Sequence, residues 1–194
     1  MEKVTIPALQ KMKRTGEKIV GVVAWDYQIA QIVDRAGVDI VSVGDTVGIN
    51  LWGHSSPLEV TMDEMVVVCK AVRRGVKHAI VSCDFPFGPL QEGTEIALRA
   101  AIRLVKEAGA DLIKLDGAAD FPDAVRAIVR AGIPVFAQFG ITPQTALLLS
   151  GYFKNSAEFW MNLQTANDLT RALQENRKRP TASTREARRS MGAD

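Results

Sequence analysis

Three aspartates stand at the ends of short apolar, β-branched runs: Asp45 after Val38 to Gly44, Asp84 after Ala79 to Cys83, and Asp116 after Asp111 to Leu115. Carboxylates are hard oxygen donors. Magnesium takes one or two of them and leaves its other positions to water and substrate. If the runs are neighbouring parallel strands, Asp45 and Asp84 come within reach of one ion, and Asp116 binds it directly or through water. Lys114 lies two residues before Asp116, so strand alternation sets both side chains on one face. A lysine among carboxylates stays charged and can neutralise an anionic substrate. Asp is also a common helix N-cap, so one such acid says little. Three at equivalent positions, with an inward lysine, point to a divalent-metal site.

The elements that would carry these residues repeat one phrase: a helical segment, a glycine, a short apolar run, then a polar residue. Gly37, Gly75, Gly109 and Gly132 stand where a helix C-cap calls for positive φ. The runs that follow are four to six residues long and apolar on both faces, which suits parallel strands buried on both sides. A further run, Lys18 to Asp26, opens the series, and Ile133 to Gln138 is its fifth member. Between them the helices carry apolar stripes: Ile29, Ile32, Val33 and Ala36; Met65, Val68, Cys69 and Val72; Ile96, Ala100 and Leu104; Ala124, Val125, Ile128 and Val129. Thr61 to Glu64 reads as a capping box.

Five strands alternating with helices form a βα series with right-handed crossovers. No Gly-rich phosphate loop follows the first strand, which argues against an open doubly wound sheet. Acids at successive strand ends favour a (βα)8 TIM-barrel type, truncated after about five strands and followed by a C-terminal helical segment. The predicted organisation is a βα-barrel portion over 1–147, helices over 148–179 and a disordered basic tail over 180–194. One helix is expected from Pro143 to Phe153. Another is expected from near Ser156, with Phe159, Trp160 and Leu163 on its apolar side.

The 194 residues suffice for one domain with a sizeable core. The formal charge of +2 argues for neither nucleic acid nor membrane, although seven Lys/Arg against three Asp/Glu follow from Arg171 onward. Two cysteines, Cys69 and Cys83, are too few for a disulfide framework. No apolar run reaches membrane-spanning length and no signal peptide is recognised, so a cytoplasmic location is expected. His54 is read as a loop residue near the site, His78 as structural at the opposite end of the barrel, and Trp25 and Tyr27 as wall.

Several motifs in register give the chain a specific resemblance. Val43-Gly44-Asp45-Thr46-Val47-Gly48, the Gly53-His54 loop with Val60-Thr61, Asp84-Phe85-Pro86-Phe87, Lys114-Leu115-Asp116-Gly117 and Gly140-Ile141-Thr142-Pro143-Gln144 resemble the ketopantoate hydroxymethyltransferase family over about residues 1–147. The resemblance implies Mg2+, an α-keto acid substrate (3-methyl-2-oxobutanoate) and methylenetetrahydrofolate as cosubstrate, in a step of pantothenate biosynthesis. It implies Asp45 and Asp84 as metal ligands that also meet substrate, and Thr46 on the substrate carboxylate where the family usually has Ser. Lys114 would touch a substrate oxygen, and Asp116 would replace the family's usual Glu in the metal shell. Gln138 stands where the family has His. The family's base, a Glu on a later strand, maps onto no residue, so the catalytic base is unassigned.

A second resemblance begins where the first ends. Ile141 to Leu147 and Tyr152 to Gln164 resemble the C-terminal helices of helix-turn-helix antitoxins of the HigA type, as if two gene pieces met there. The helices that would dock on DNA have no counterpart, so no sequence-specific nucleic-acid partner is expected. The expected activity is magnesium-dependent hydroxymethyl transfer. The alternatives are a non-catalytic oligomerising barrel module and an antitoxin-like regulator. A sheet of five strands leaves unpaired edges, so a homo-oligomer covering them is expected.

Overall fold

The structure is a computed structural model that describes residues 2–138 and, beyond them, 146–147, 150–151, 154, 156–159 and 161–162. Contacts divide the chain into one compact unit, Met1–Phe139, and a second, Gly140–Asp194. The first unit holds the parallel strands β1 (Gly21–Val23), β2 (Ile40–Val43), β3 (Ile80–Asp84), β4 (Leu112–Asp116) and β5 (Val135–Gln138). Its helices are α1 (Ile6–Thr15), α2 (Tyr27–Arg35), α3 (Val47–Trp52), α4 (Met62–Gly75), α5 (Thr94–Lys106) and α6 (Pro122–Arg130).

The sheet order is β1-β2-β3-β4-β5, every pairing parallel. Strand order never reverses, and α2 packs on α4, α4 on α5 and α5 on α6. The strand-connecting helices thus form one layer on one face, as in a barrel wall and unlike a doubly wound sheet. Val41, Val43, Val81, Cys83, Ile113 and Leu115 join the helices in one buried cluster. The alternate residues turn the other way. Ser42 aligns with Ser82, and Asp84 with Lys114, on the inner face of the wall.

Helix ends follow their local chemistry. Thr61 and Glu64 form the expected capping box at the start of α4. The Asp26 carboxylate accepts the Ile29 N–H and opens α2. Gly37, Gly109 and Gly132 have positive φ, as a left-handed cap requires. Gly75 does not; it lies inside α4, where a Cβ would sit 2.7 Å from the Tyr27 carbonyl oxygen and 2.9 Å from the Ala30 Cβ. Its role is to let α2 approach α4. Gly75→Ala is therefore expected to cost about 1–3 kcal/mol by overpacking, read as a lower urea midpoint. An unchanged midpoint would mean that α2 shifts freely.

Three expectations need correction. β1 and β5 are not buried on both faces; only β3 is buried throughout. On α2 the buried positions are Ala30 and Asp34, while Ile29 and Ile32 stay largely exposed. They flank the β1 side of the sheet, where β1 pairs with β2 alone among the described residues. On α6, Ala124 and Ile128 are buried but Val129 is exposed at the other flank.

At the amino ends of β2 and β4, an acid ties the run to the one before it. The Asp39 carboxylate accepts the Val20 N–H at 2.8 Å, and the Asp39 N–H donates back to the Val20 carbonyl. The Asp111 carboxylate repeats the exchange with Val81, at 2.9 Å in each direction. Asp34 is buried in α2 and accepts the N–H groups of Lys77, His78 and Ala79, which lead into β3. Burial pulls the Asp34 pKa up, but the three backbone hydrogen bonds outweigh it and hold the carboxyl below its ordinary value. His78 enters this arrangement through its backbone N–H.

In the second unit, residues 146–147 and 150–151 are helical, within the span expected for a helix. The Ser156 hydroxyl accepts the Phe159 N–H at 3.1 Å, ahead of helical residues 157–159. Trp160, Leu163 and the basic tail 180–194 lie outside the described residues.

Candidate active site

The candidate site sits at the carboxyl ends of β2, β3 and β4. Asp84 ends β3 and is only 7% exposed. Its Oδ2 accepts from Lys114 Nζ at 2.9 Å, and the same ammonium lies 3.0 Å from Asp116 Oδ1. Asp84 Oδ1 is buried and has no hydrogen-bond partner. Burial pushes the Asp84 pKa up to about 6; Lys114 pulls it down, and Asp116 and Asp45 add to the rise. Burial also works against the charge on Lys114, but Asp84 and Asp116 overcome it and raise its pKa. The lysine is thus held as a cation between two acids.

Asp45 follows β2 after Gly44. Its carboxyl is shifted upward by burial first and by Asp116 second, against the pull of Lys114. A Cβ on Gly44 would lie 3.1 Å from Thr46 Oγ1 and 3.7 Å from Asp84 Oδ2. The bare glycine therefore marks the meeting point of the Thr46 hydroxyl and the Asp84 carboxylate. Thr46 caps the short α3 by position only, and its side chain makes no capping hydrogen bond.

The five residues singled out from sequence thus share one end of the wall, but Lys114 engages two of the three acids. Among the described residues no group of three or more His, Cys, Asp and Glu side chains is gathered to hold a metal ion. A magnesium ion needs only one or two carboxylates. The orphaned, buried Asp84 Oδ1 is an acceptor that a hard cation would satisfy, and Asp45 is the second acid in its field. The residues fit such an ion through that pair. Asp116, whose side chain is 58% exposed, is engaged by Lys114.

Besides Asp84 Oδ1, three buried polar atoms have no partner among the described residues: Trp25 Nε1, Ser82 Oγ and His54 Nδ1. Trp25 was read as wall, and its ring packs against the core, yet its Nε1–H is buried without a partner. Ser82, one strand repeat below Asp84, buries an unpartnered hydroxyl. A serine in an otherwise apolar run was the only sequence signal. His54 lies in its expected loop; its backbone N–H donates to the Gly48 carbonyl and its ring faces Trp52. Tyr27 is exposed, its hydroxyl accepting from Gln31.

The sequence pattern of ketopantoate hydroxymethyltransferase matches residues 3–175. The chain belongs to this family. The match extends beyond residue 147, into the segment that resembled the antitoxins. Among curated relatives, the 3-methyl-2-oxobutanoate hydroxymethyltransferase of Moorella thermoacetica is 47% identical over 150 residues, covering 77% of this chain and 56% of that protein. The one from Thermosynechococcus vestitus is 45% identical over 150 residues, covering 77% and 58%. The chain therefore spans a little over half the length of these relatives. Among solved structures, 2,3-dimethylmalate lyase, a PEP mutase/isocitrate lyase superfamily member, superposes with a TM-score of 0.52 at 14% identity, over 68% of this chain and 51% of that one. Oxaloacetate acetylhydrolase gives 0.51 at 10% identity, over 66% and 50%. At such identities these two show the fold: a TIM-barrel wall, of which the described residues supply five parallel strands. Among the described residues no helix is long and apolar enough to cross a membrane.

Proposed function

We propose that this ketopantoate hydroxymethyltransferase family member binds a small α-keto acid, 3-methyl-2-oxobutanoate, at the Asp45–Asp84–Lys114 end of its wall and prepares it for hydroxymethyl transfer from methylenetetrahydrofolate in the cytoplasm. The observation that carries the reading is the Asp84 carboxylate, one oxygen on Lys114 and the other buried and unsatisfied. Asp45 and Asp84 would hold Mg2+, which supplies polarisation of the keto group and so acidifies the neighbouring C3–H. Asp116 joins that shell directly or through water. Lys114 neutralises the substrate's negative charge and contacts its oxygen, and the Thr46 hydroxyl donates to its carboxylate.

In the overall change the C3–H bond breaks with its proton passing to a base, a C3–CH2 bond forms to the one-carbon unit, the bonds from that carbon to the folate nitrogens break, a water molecule supplies the new hydroxyl, and tetrahydrofolate leaves with the protons released. The base is assigned to no residue of this chain. A second reading, a non-catalytic barrel module, is favoured by one observation: Lys114 engages both Asp84 and Asp116, and among the described residues no group of three or more His, Cys, Asp and Glu side chains is gathered to hold a metal ion.

Deuterium exchange separates the two and needs no folate. NMR is expected to show magnesium-dependent loss of the C3 proton of 3-methyl-2-oxobutanoate in D2O. Asp45→Asn should abolish it without changing the circular dichroism of the protein. A folded parent chain that exchanges nothing would sink the enzymatic reading and leave the non-catalytic one.

A further inference from the structure

On β3 the side chains of Ile80, Ser82 and Asp84 share the inner face of the wall, opposite the face that Val81 and Cys83 give to the helices. Ser82 is 1% exposed, and its hydroxyl has no hydrogen-bond partner among the described residues. Its neighbours are of two kinds. One strand repeat toward the amino end stands Ile80, and in register on β4 stands Leu112, both buried. One repeat toward the carboxyl end stands Asp84, whose Oδ1 is buried and equally without a partner. In register on β2 stands Ser42. A hydroxyl left unpaired among aliphatic side chains is costly. Two unmatched polar atoms on one strand face therefore call for a shared partner.

Two residues along a strand advance the chain by about 6.6 Å. Ser82 Oγ and Asp84 Oδ1 make no direct bond, and two hydrogen bonds of about 2.8 Å, end to end, span such a gap through one water molecule. A buried water takes about three polar partners, and Ser82, Asp84 and Ser42 can supply them. We infer that Ser82 is a positioning residue: its hydroxyl, through one internal water, holds Asp84 Oδ1 and sets the carboxylate for a divalent cation. A carboxylate oxygen has two lone pairs. Oδ1 accepts from the water with one and meets the ion with the other, while Oδ2 stays on Lys114. Partners of this kind fix the orientation of a ligating group, and their loss weakens metal binding about 10–100-fold. The inference rests on the reading of Asp45 and Asp84 as the ion's ligands.

The test sets two variants of equal shape, Ser82→Thr and Ser82→Val, beside the full parent chain. Titration calorimetry with Mg2+ alone measures binding, and crystals of the magnesium-free proteins show the water. The parent and Ser82→Thr are expected to hold one ordered water within hydrogen-bonding distance of both the hydroxyl and Asp84 Oδ1, and to bind Mg2+ alike. Ser82→Val should lack that water and bind Mg2+ about 10-fold more weakly. Circular dichroism equal to the parent's checks that each variant folds. A role in packing alone would move both variants equally, because threonine and valine fill the same space. Equal affinity in all three proteins, equal weakening in the two variants, or a parent in which no water joins the two atoms overturns the inference and leaves the cation site standing. A parent that binds no Mg2+ overturns the cation site itself, and the role of Ser82 with it.

Discussion

Lys114→Met is expected to cost about 3–5 kcal/mol of stability at pH 8 and far less at pH 5. The lysine contacts two acids, but they are not equal. Asp116 is exposed, and water screens that pair to little net worth. Asp84 is buried, and among the described residues Lys114 is the only side chain that donates to it. Without the ammonium, a lone carboxylate must be buried or must keep its proton. The sign follows from its pKa, which is raised from the ordinary value to about 6. A group raised in this way stabilises the fold fully below its unfolded value and loses that contribution as pH rises through its folded value. Removing Lys114 raises the folded value further, so the variant weakens most above pH 6 and recovers as Asp84 takes up its proton. Urea unfolding at the two pH values measures this. An equal loss at both would show that the lysine's aliphatic stem, and not its charge, supports the strand ends.

Asp34→Asn is expected to cost about 3 kcal/mol at neutral pH. The two carboxylate oxygens accept from three successive backbone N–H groups, at 2.8 Å from Ala79, 3.0 Å from Lys77 and 3.1 Å from His78. An asparagine turns a donor toward donors at one of the two positions and orphans at least one N–H. Burial opposes the charge, yet the hydrogen bonds prevail and the pKa is lowered. The contribution is therefore complete above the unfolded value of about 3.9 and is lost as pH falls through the folded one. The gap between parent and variant should stay level from pH 7 to 5 and narrow at pH 3. A gap that narrows already at pH 5 would assign the effect to another group.

These two aspartates show what sequence could and could not convey. Asp84 was legible because strand period and repeated phrase together fix which end and which face it occupies. The same logic set Asp45 and Lys114 beside it and gave the strand order. Asp34 was invisible. It sits in a helix pattern as one more surface acid, and its partners lie 43 to 45 residues later in a loop. Gly75 was misread for a related reason: a glycine that grants close approach looks like a glycine that grants positive φ until the neighbouring helix is in place. The stripe on α2 was read correctly as apolar, but periodicity cannot say whether a partner stands opposite. α1 went unread because its ten residues bury none of their side chains, leaving only Thr5 and Gly16 as end signals.

The agreement between spatial and chain order in the sheet has a consequence during synthesis. Each strand pairs with the one translated just before it, by way of a helix already outside the ribosome. Assembly can therefore advance from the amino terminus one unit at a time, with no early segment waiting for a late one to fill its middle. The longest-exposed surface on a nascent chain is then the β1–α2 flank, complete first and paired on one side only among the described residues. On a polysome, where identical chains emerge side by side, that flank is where neighbouring nascent chains would first meet.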